Sequence, residues 1–156
     1  MTRQVVVTGV GMTTPIGGDA PTTWAAALAG TPGIVRLDEP WVEDQPAKIA
    51  GRMAVDPTEV LDRVQARRLD RSQQAALVAA REAWSGAGAP EVDPNRLGTV
   101  VATGMGGLTS LMDSYDLLKE RGPSRISPHM VTMIMPNGAA AVVGLDIVFA
   151  EPQREV

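Results

Sequence analysis

Val5-Val6-Val7-Thr8-Gly9-Val10-Gly11 is a β-branched run closed by two glycines. β-Branched side chains suit a pleated, packed surface, and glycines supply the turn after it, so the stretch predicts a buried strand running into a tight turn. Beyond it, Pro21 stands at a first helical position, Trp24 and Leu28 lie four apart on one face, and Gly30 is placed to end the helix. A strand handed straight to a helix is the opening unit of an α/β layered fold.

The rest of the chain continues that alternation. Thr31–Ala47 holds Pro32, Gly33, Pro40 and Pro46 and predicts an irregular excursion. Ile49–Met53 predicts a weaker strand, and Asp56-Pro57 opens a turn or short helix. Asp70 and Gln73 have capping-box spacing ahead of a helix that carries Ala76, Leu77, Ala80 and Trp84 on one side and ends at Gly86 or Gly88. Leu97–Thr103 predicts the next strand, followed by Gly104-Met105-Gly106-Gly107. Leu111, Tyr115 and Leu118 mark an amphipathic helix stopped by Gly122-Pro123. Ser127-Pro128 starts a further helical turn, which Met135-Pro136-Asn137 interrupts. Asn137 is placed to cap a last helix over Gly138–Ile147, apolar nearly all round and so bound for a core or an interface. Residues 150–156 read as a polar, frayed tail.

Composition narrows the chemistry. The 156 residues carry a net charge of −4, with 44% hydrophobic, 21% charged and only 3% aromatic residues. This is the make-up of one globular domain whose core is aliphatic. An acidic chain lacks the basic footprint of a nucleic-acid binder and fits an anionic membrane poorly. The densest basic group, Arg63, Arg67, Arg68 and Arg71, is interleaved with Asp62 and Asp70 and reads as a solvated, ion-paired face. There is no Cys and one His, His129. Disulfides, cysteine-ligated metals, cysteine nucleophiles and any mechanism needing two histidines are excluded within these residues. No signal peptide is apparent at Met1–Gln4, and no apolar run approaches the roughly 20 residues of a bilayer span, so the expected compartment is the cytosol.

Gly9-Val10-Gly11 invites a dinucleotide-binding reading, but Thr14 holds the third glycine position and Pro15 follows. Gly104-Met105-Gly106-Gly107 fails likewise, with Thr109 in third place. Close-packed strand-to-helix turns account for both better. A serine nucleophile among Ser110, Ser114, Thr103 and Thr109 would have only His129 as its imidazole, and no G-x-S-x-G elbow is present. Met130, Met133 and Met135 read as core or interface filler.

These residues, taken in order, resemble a known family. Val5–Gly11, Thr14-Pro15-Ile16-Gly17, Trp24 and Leu28-Ala29-Gly30 are similar to the start of β-ketoacyl-acyl-carrier-protein synthases. So are Leu69-Asp70-Arg71-Ser72-Gln73 with Ala79-Ala80-Arg81-Glu82-Ala83-Trp84, Gly104–Gly107, and Ser127-Pro128 with Met135-Pro136-Asn137-Gly138. The likeness is greatest to the elongating, ketoacyl synthase II type and spans residues 3 to about 147. It implies a thiolase-like α-β-α-β-α fold, of which this chain supplies the N-terminal part of the first α/β half. It also implies a homodimer, an acyl carrier protein as partner, and a decarboxylating condensation in fatty acid synthesis that needs no cofactor or metal. In that reaction the acyl chain rides on a cysteine, and two histidines stabilise the enolate oxygen.

The text departs from the family at Val148, just before the strand and elbow that bear the cysteine. The chain therefore reads as roughly the first two-fifths of a condensing enzyme, with residues 1–147 family-like and 148–156 a divergent tail, left short by a gene break, a frameshift or partial data. No catalytic residue carries over, and His129 matches neither histidine. The resemblance implies an acyl-pocket or dimer-interface role for Met105, Met133 and Asn137. The expectation is a fragment inactive by itself; the alternative is a noncatalytic partner that pairs with a full-length synthase through its apolar C-terminal third. Either way strand edges and the Gly138–Ile147 face should be left uncovered, and the chain should associate.

Overall fold

The structure, a computed structural model, describes residues 4–149. The no-leader reading of Met1–Gln4 falls largely outside them, and the frayed-tail reading of 150–156 falls wholly outside. Helices dominate: α1 Ala20–Leu28, α2 Pro57–Val60, α3 Arg63–Ala66, α4 Arg71–Gly86, α5 Leu108–Arg121, α6 Met130–Ile134 and α7 Gly138–Phe149. Two short strands, β1 Ile34–Arg36 and β2 Ile49–Gly51, form an antiparallel pair in which Val35 faces Ala50.

Local chemistry places most helix boundaries where the residue types predict them. Asp19 caps α1, accepting from the Thr22 amide at 2.7 Å, and Gly30 follows the helix at φ +71. Asp56 and Asp62 cap α2 and α3 in the same way. Gly122, at φ +77, ends α5 ahead of Pro123. Final helix α7 continues past the expected Ile147 to Phe149.

Three expectations need correction. The Thr31–Ala47 excursion contains β1, the partner of β2, and a short helical turn at Pro40–Val42 that buries Val42. Val5–Val7 and Leu97–Thr103, read as strands, are not strands here. A strand exists through its ladder, and no backbone hydrogen bond joins residues 5–10 or 98–102 to anything among the described residues. Val5, Val6 and Val7 are accordingly 97%, 71% and 84% exposed, and Val100 is 97% exposed.

The core lies around α4. Leu77 is fully buried with Leu61 and Ala66, and Leu69, Val78 and Val142 pack round them. Ala139 and Val143 bring α7 onto α4, the broadest helix pairing in the molecule. Leu145, on another side of α7, stays exposed, so the all-round apolar helix is covered on one side only. No helix among the described residues is long and apolar enough to cross a membrane.

Candidate functional site

Three segments carry the sequence-predicted site residues, and the fold brings their backbones together. Gly106, at φ +64, would put a Cβ 2.9 Å from the Ile134 carbonyl oxygen and 3.0 Å from Pro136 Cα. A Cβ on Gly107 would collide with the Met133 carbonyl. The glycines of the 104–107 turn thus let α5 start flush against the end of α6. Met105 stands beside this junction with its side chain 70% exposed. Met133 is half-buried, and Asn137 is exposed where the chain turns into α7. Met105, Met112, Tyr115, Leu118, Val131 and Met135, on α5, α6 and the turns beside them, are exposed apolar residues.

What fixes this junction is the start of α4. Asp70, 3% exposed, accepts from the Ser72 amide at 2.8 Å and from the Ser110 hydroxyl of α5 at 2.7 Å. Gln73, 2% exposed, accepts from the Asp70 amide at 3.2 Å and closes the capping box. Its amide nitrogen donates to the carbonyls of Thr132 at 2.8 Å and Met133 at 3.3 Å, in α6. A Cβ on Gly138 would strike that same amide group. Gln74 donates to the Ala66 and Leu69 carbonyls at 2.9 and 3.1 Å, tying down the end of α3.

The reading of Asp70 as part of a solvated charged face is therefore wrong. Its position ahead of an amphipathic helix signalled a cap, but the bond to Ser110 crosses 40 residues and leaves no local mark. Gln73 offered a signal that went unused. A Glu at that position caps equally well, but only an amide can also donate to carbonyls.

The electrostatics argue against proton chemistry here. Burial raises the Asp70 carboxyl, but the hydrogen bonds from Ser110 and Ser72 outweigh it and hold the group below the ordinary carboxylate value. A carboxylate so stabilised is a poor base, so the Ser110–Asp70 pair is a tie and not an activated nucleophile. His129 is exposed, and its ring makes no hydrogen bond among the described residues. No cluster of His, Asp and Glu among the described residues could hold a metal ion. A cavity of about 560 Å³ is lined by Gly51, Arg52, Met53, Asp56 and Arg71. Arg71 lies 2.9 Å from Asp56, and Arg52 pairs with Glu39, so both guanidinium groups already face carboxylates.

The far end of α4 is tied as firmly. Glu82 accepts from the Met12 and Ala20 amides, both at 2.8 Å, fixing the turn after Gly11 and the start of α1. Arg81 forks onto Asp146 of α7 at 2.8 and 2.6 Å, and the Asp146 hydrogen bond raises the guanidinium's pKa.

Residues 2–150 match the family model described as beta-ketoacyl synthase, N-terminal domain. A 3-oxoacyl-[acyl-carrier-protein] synthase 2 from Mycobacterium bovis is 44% identical over 144 residues, covering 91% of this chain and 34% of the relative. One of the same name from Staphylococcus aureus is 36% identical over 151 residues, 93% of this chain and 36% of the relative. The chain thus spans about a third of the length of these relatives. Among solved structures, a beta-ketoacyl synthase from Burkholderia phymatum superposes with a TM-score of 0.74 at 23% identity, covering 94% of this chain and 37% of that one. A type II polyketide ketosynthase bound to its acyl carrier protein superposes with a TM-score of 0.71 at 21% identity, covering 94% and 39%. These likenesses establish the fold: the chain has the N-terminal part of a ketosynthase architecture.

Proposed function

The chain belongs to the beta-ketoacyl synthase family through its N-terminal domain, and from that premise we propose that it is the N-terminal portion of a 3-oxoacyl-[acyl-carrier-protein] synthase, without condensing activity by itself. In the reaction the family resemblance implies, malonyl-carrier protein loses carbon dioxide. The resulting enolate carbon attacks the carbonyl of an acyl-cysteine thioester, and the thiolate leaves. The observation that carries the proposal is that 156 residues hold no cysteine to bear the acyl group and one imidazole where the reaction uses two.

The part assigned to residues 1–147 is architectural. Met105, Met133 and Asn137 would line the acyl pocket or meet a dimer mate, on a junction that Asp70 and Gln73 hold in place. Residues 148–156 are assigned no part in it. Acyl carrier protein and a second subunit are the partners this reading carries, and the cytoplasm is the compartment. The test is an assay of the purified chain with acyl- and malonyl-carrier protein. No 3-oxoacyl product and no released carbon dioxide are expected; product that tracks the chain through purification would end the proposal.

A second reading has its own observation. The exposed apolar surface of α5 and α6 suits a noncatalytic subunit that pairs with a full-length synthase. Size-exclusion with such a synthase separates the two: co-elution that survives loss of Met112 and Tyr115 removes this reading.

A further inference from the structure

Asn137 is followed by Gly138, whereas the other asparagine of the chain, Asn95, is followed by Arg96. Asparagine is chemically labile because the next backbone nitrogen can attack its side-chain carbonyl, and a glycine there leaves that nitrogen unshielded. The fold treats the two members of the pair differently. Asn137 is exposed, while Gly138 is buried. The Gly138 amide donates to the Met135 carbonyl at 2.9 Å, and the Asn137 carbonyl accepts from the Ala141 amide at 3.0 Å. The nitrogen that would attack is thus engaged, and the backbone on both sides of the Asn137–Gly138 bond is pinned into the turn that opens α7. Against Gly138 lies the side-chain amide of Gln73, itself 2% exposed and donating to the Thr132 and Met133 carbonyls at 2.8 and 3.3 Å. A Cβ on Gly138 would strike that amide, so the peptide has no room to turn toward the Asn137 side chain.

We propose that Asn137-Gly138 is a self-modification site that the folded chain keeps shut, with the Met135 carbonyl and Gln73 as its latch, and that it reacts when the junction of α6 and α7 opens. The reaction uses the chain and water alone. The Gly138 nitrogen attacks Asn137 Cγ as its proton passes to a solvent base, ammonia leaves, and a cyclic imide forms. Water then opens the imide. Breaking the new bond from Cγ to nitrogen leaves aspartate; breaking the original peptide bond leaves isoaspartate, whose backbone runs through the side chain and is one carbon longer. The two products differ in what the fold accepts. An aspartate at the start of α7 keeps the backbone length and puts a carboxylate where a helix N-terminus favours one. Isoaspartate displaces Gly138, which the Gln73 amide leaves no space to move. Ala139 and Val143, which seat α7 on α4, follow directly behind. An opening long enough to form isoaspartate is therefore recorded in the chain and prevents α7 from closing again.

The test incubates the full chain in warm neutral buffer across a urea series, locating deamidation by peptide mass and isoaspartate by enzymatic methylation. Modification at Asn137 should run about tenfold or more faster in the unfolded chain than in the folded one and track the unfolded fraction between them. Asn95 should lag behind it in unfolding urea. Gln73→Glu keeps the acceptor that caps α4 and loses the donor to α6; without urea it should speed modification at Asn137 several-fold. Should that variant not fold, the urea series of the parent decides alone. Asn137→Ser, which keeps a capping side chain, should show no change of mass at this peptide. Once urea is removed, the refolded fraction should be depleted of isoaspartate and retain aspartate. Equal rates in the folded and unfolded chain, a folded Gln73→Glu that reacts no faster than the parent, or refolded chain as rich in isoaspartate as the unfolded chain would each overturn the inference.

Discussion

Helix α4 and the Val5–Val7 and Leu97–Thr103 runs are opposites in one chain. Along α4 and at its cap most polar side chains have partners outside the helix: Asp70 on Ser110, Gln73 on α6, Gln74 on the end of α3, Arg81 on Asp146, Glu82 on Met12 and Ala20. Residues 5–7 and 98–102 of the valine runs make no backbone hydrogen bond among the described residues. The difference follows from how each kind of element satisfies its backbone. A helix closes its hydrogen bonds within itself and spends its side chains on neighbours, so part of a fold suffices to build it. A strand closes its bonds only through other strands. A chain that spans about a third of its ketosynthase relatives' length therefore holds its helical hub together while these two runs lack a ladder among the described residues.

The comparison breaks most readily at the hub. Leu77→Ala should cost about 2–5 kcal/mol, the range for emptying a fully buried leucine site, and abolish the cooperative thermal transition. An unchanged melting curve would mean that α4 does not hold the core. Next comes Gly11→Ala. Its new methyl group would meet the Ala79 carbonyl, and about 1–3 kcal/mol of overpacking strain should detach the 9–12 turn from Glu82. Faster exchange at the Met12 and Ala20 amides is the readout, and unaltered rates there would refute the close packing.

Asp70→Ala comes third, at about 1–2 kcal/mol for the lost cap. Acid should act on the same group. In the folded chain Asp56 is held at about 2 by the Thr58 amide and hydroxyl and by Arg71, and Asp70 is also held low. Unfolded aspartates titrate near 4, so the unfolded state takes up more protons as pH falls. The stabilisation is whole above about pH 4 and drains away between there and pH 2. Thermal midpoints should fall across that window, and fall less in Asp70→Asn, which keeps the cap but cannot titrate. Identical pH dependence in parent and variant would contradict this. Smallest of all is Val100→Thr, whose effect on the isolated chain should stay within about 0.5 kcal/mol.

The same contrast decides what could be read from residues alone. Many caps and stops were legible because their determinants are local: Asp56 and Asp70 ahead of helices, and Gly30 and Gly122 behind them. The family was legible because its blocks stand in order along the chain. Strandedness at Val5–Val7 was misread because a β-branched run states a preference, and only a partner turns preference into a ladder. Strand β2 falls within the expected Ile49–Met53 strand, but its partner β1 was missed for the converse reason. Ile34-Val35-Arg36 is short and hidden among prolines, yet it has Ile49–Gly51 beside it. Of the candidate site, Met105, Met133 and Asn137 came from the resemblance. The Asp70–Ser110 and Gln73–Thr132 ties that hold them lie 40 and 59 residues apart in sequence and follow no spacing rule.

Amide hydrogen exchange on the isolated chain at neutral pH tests the central contrast most directly. The account predicts strong protection along the middle of α4 and exchange at nearly the unprotected rate for residues 5–7 and 98–102. Protection of those valine runs equal to that of α4 would contradict it.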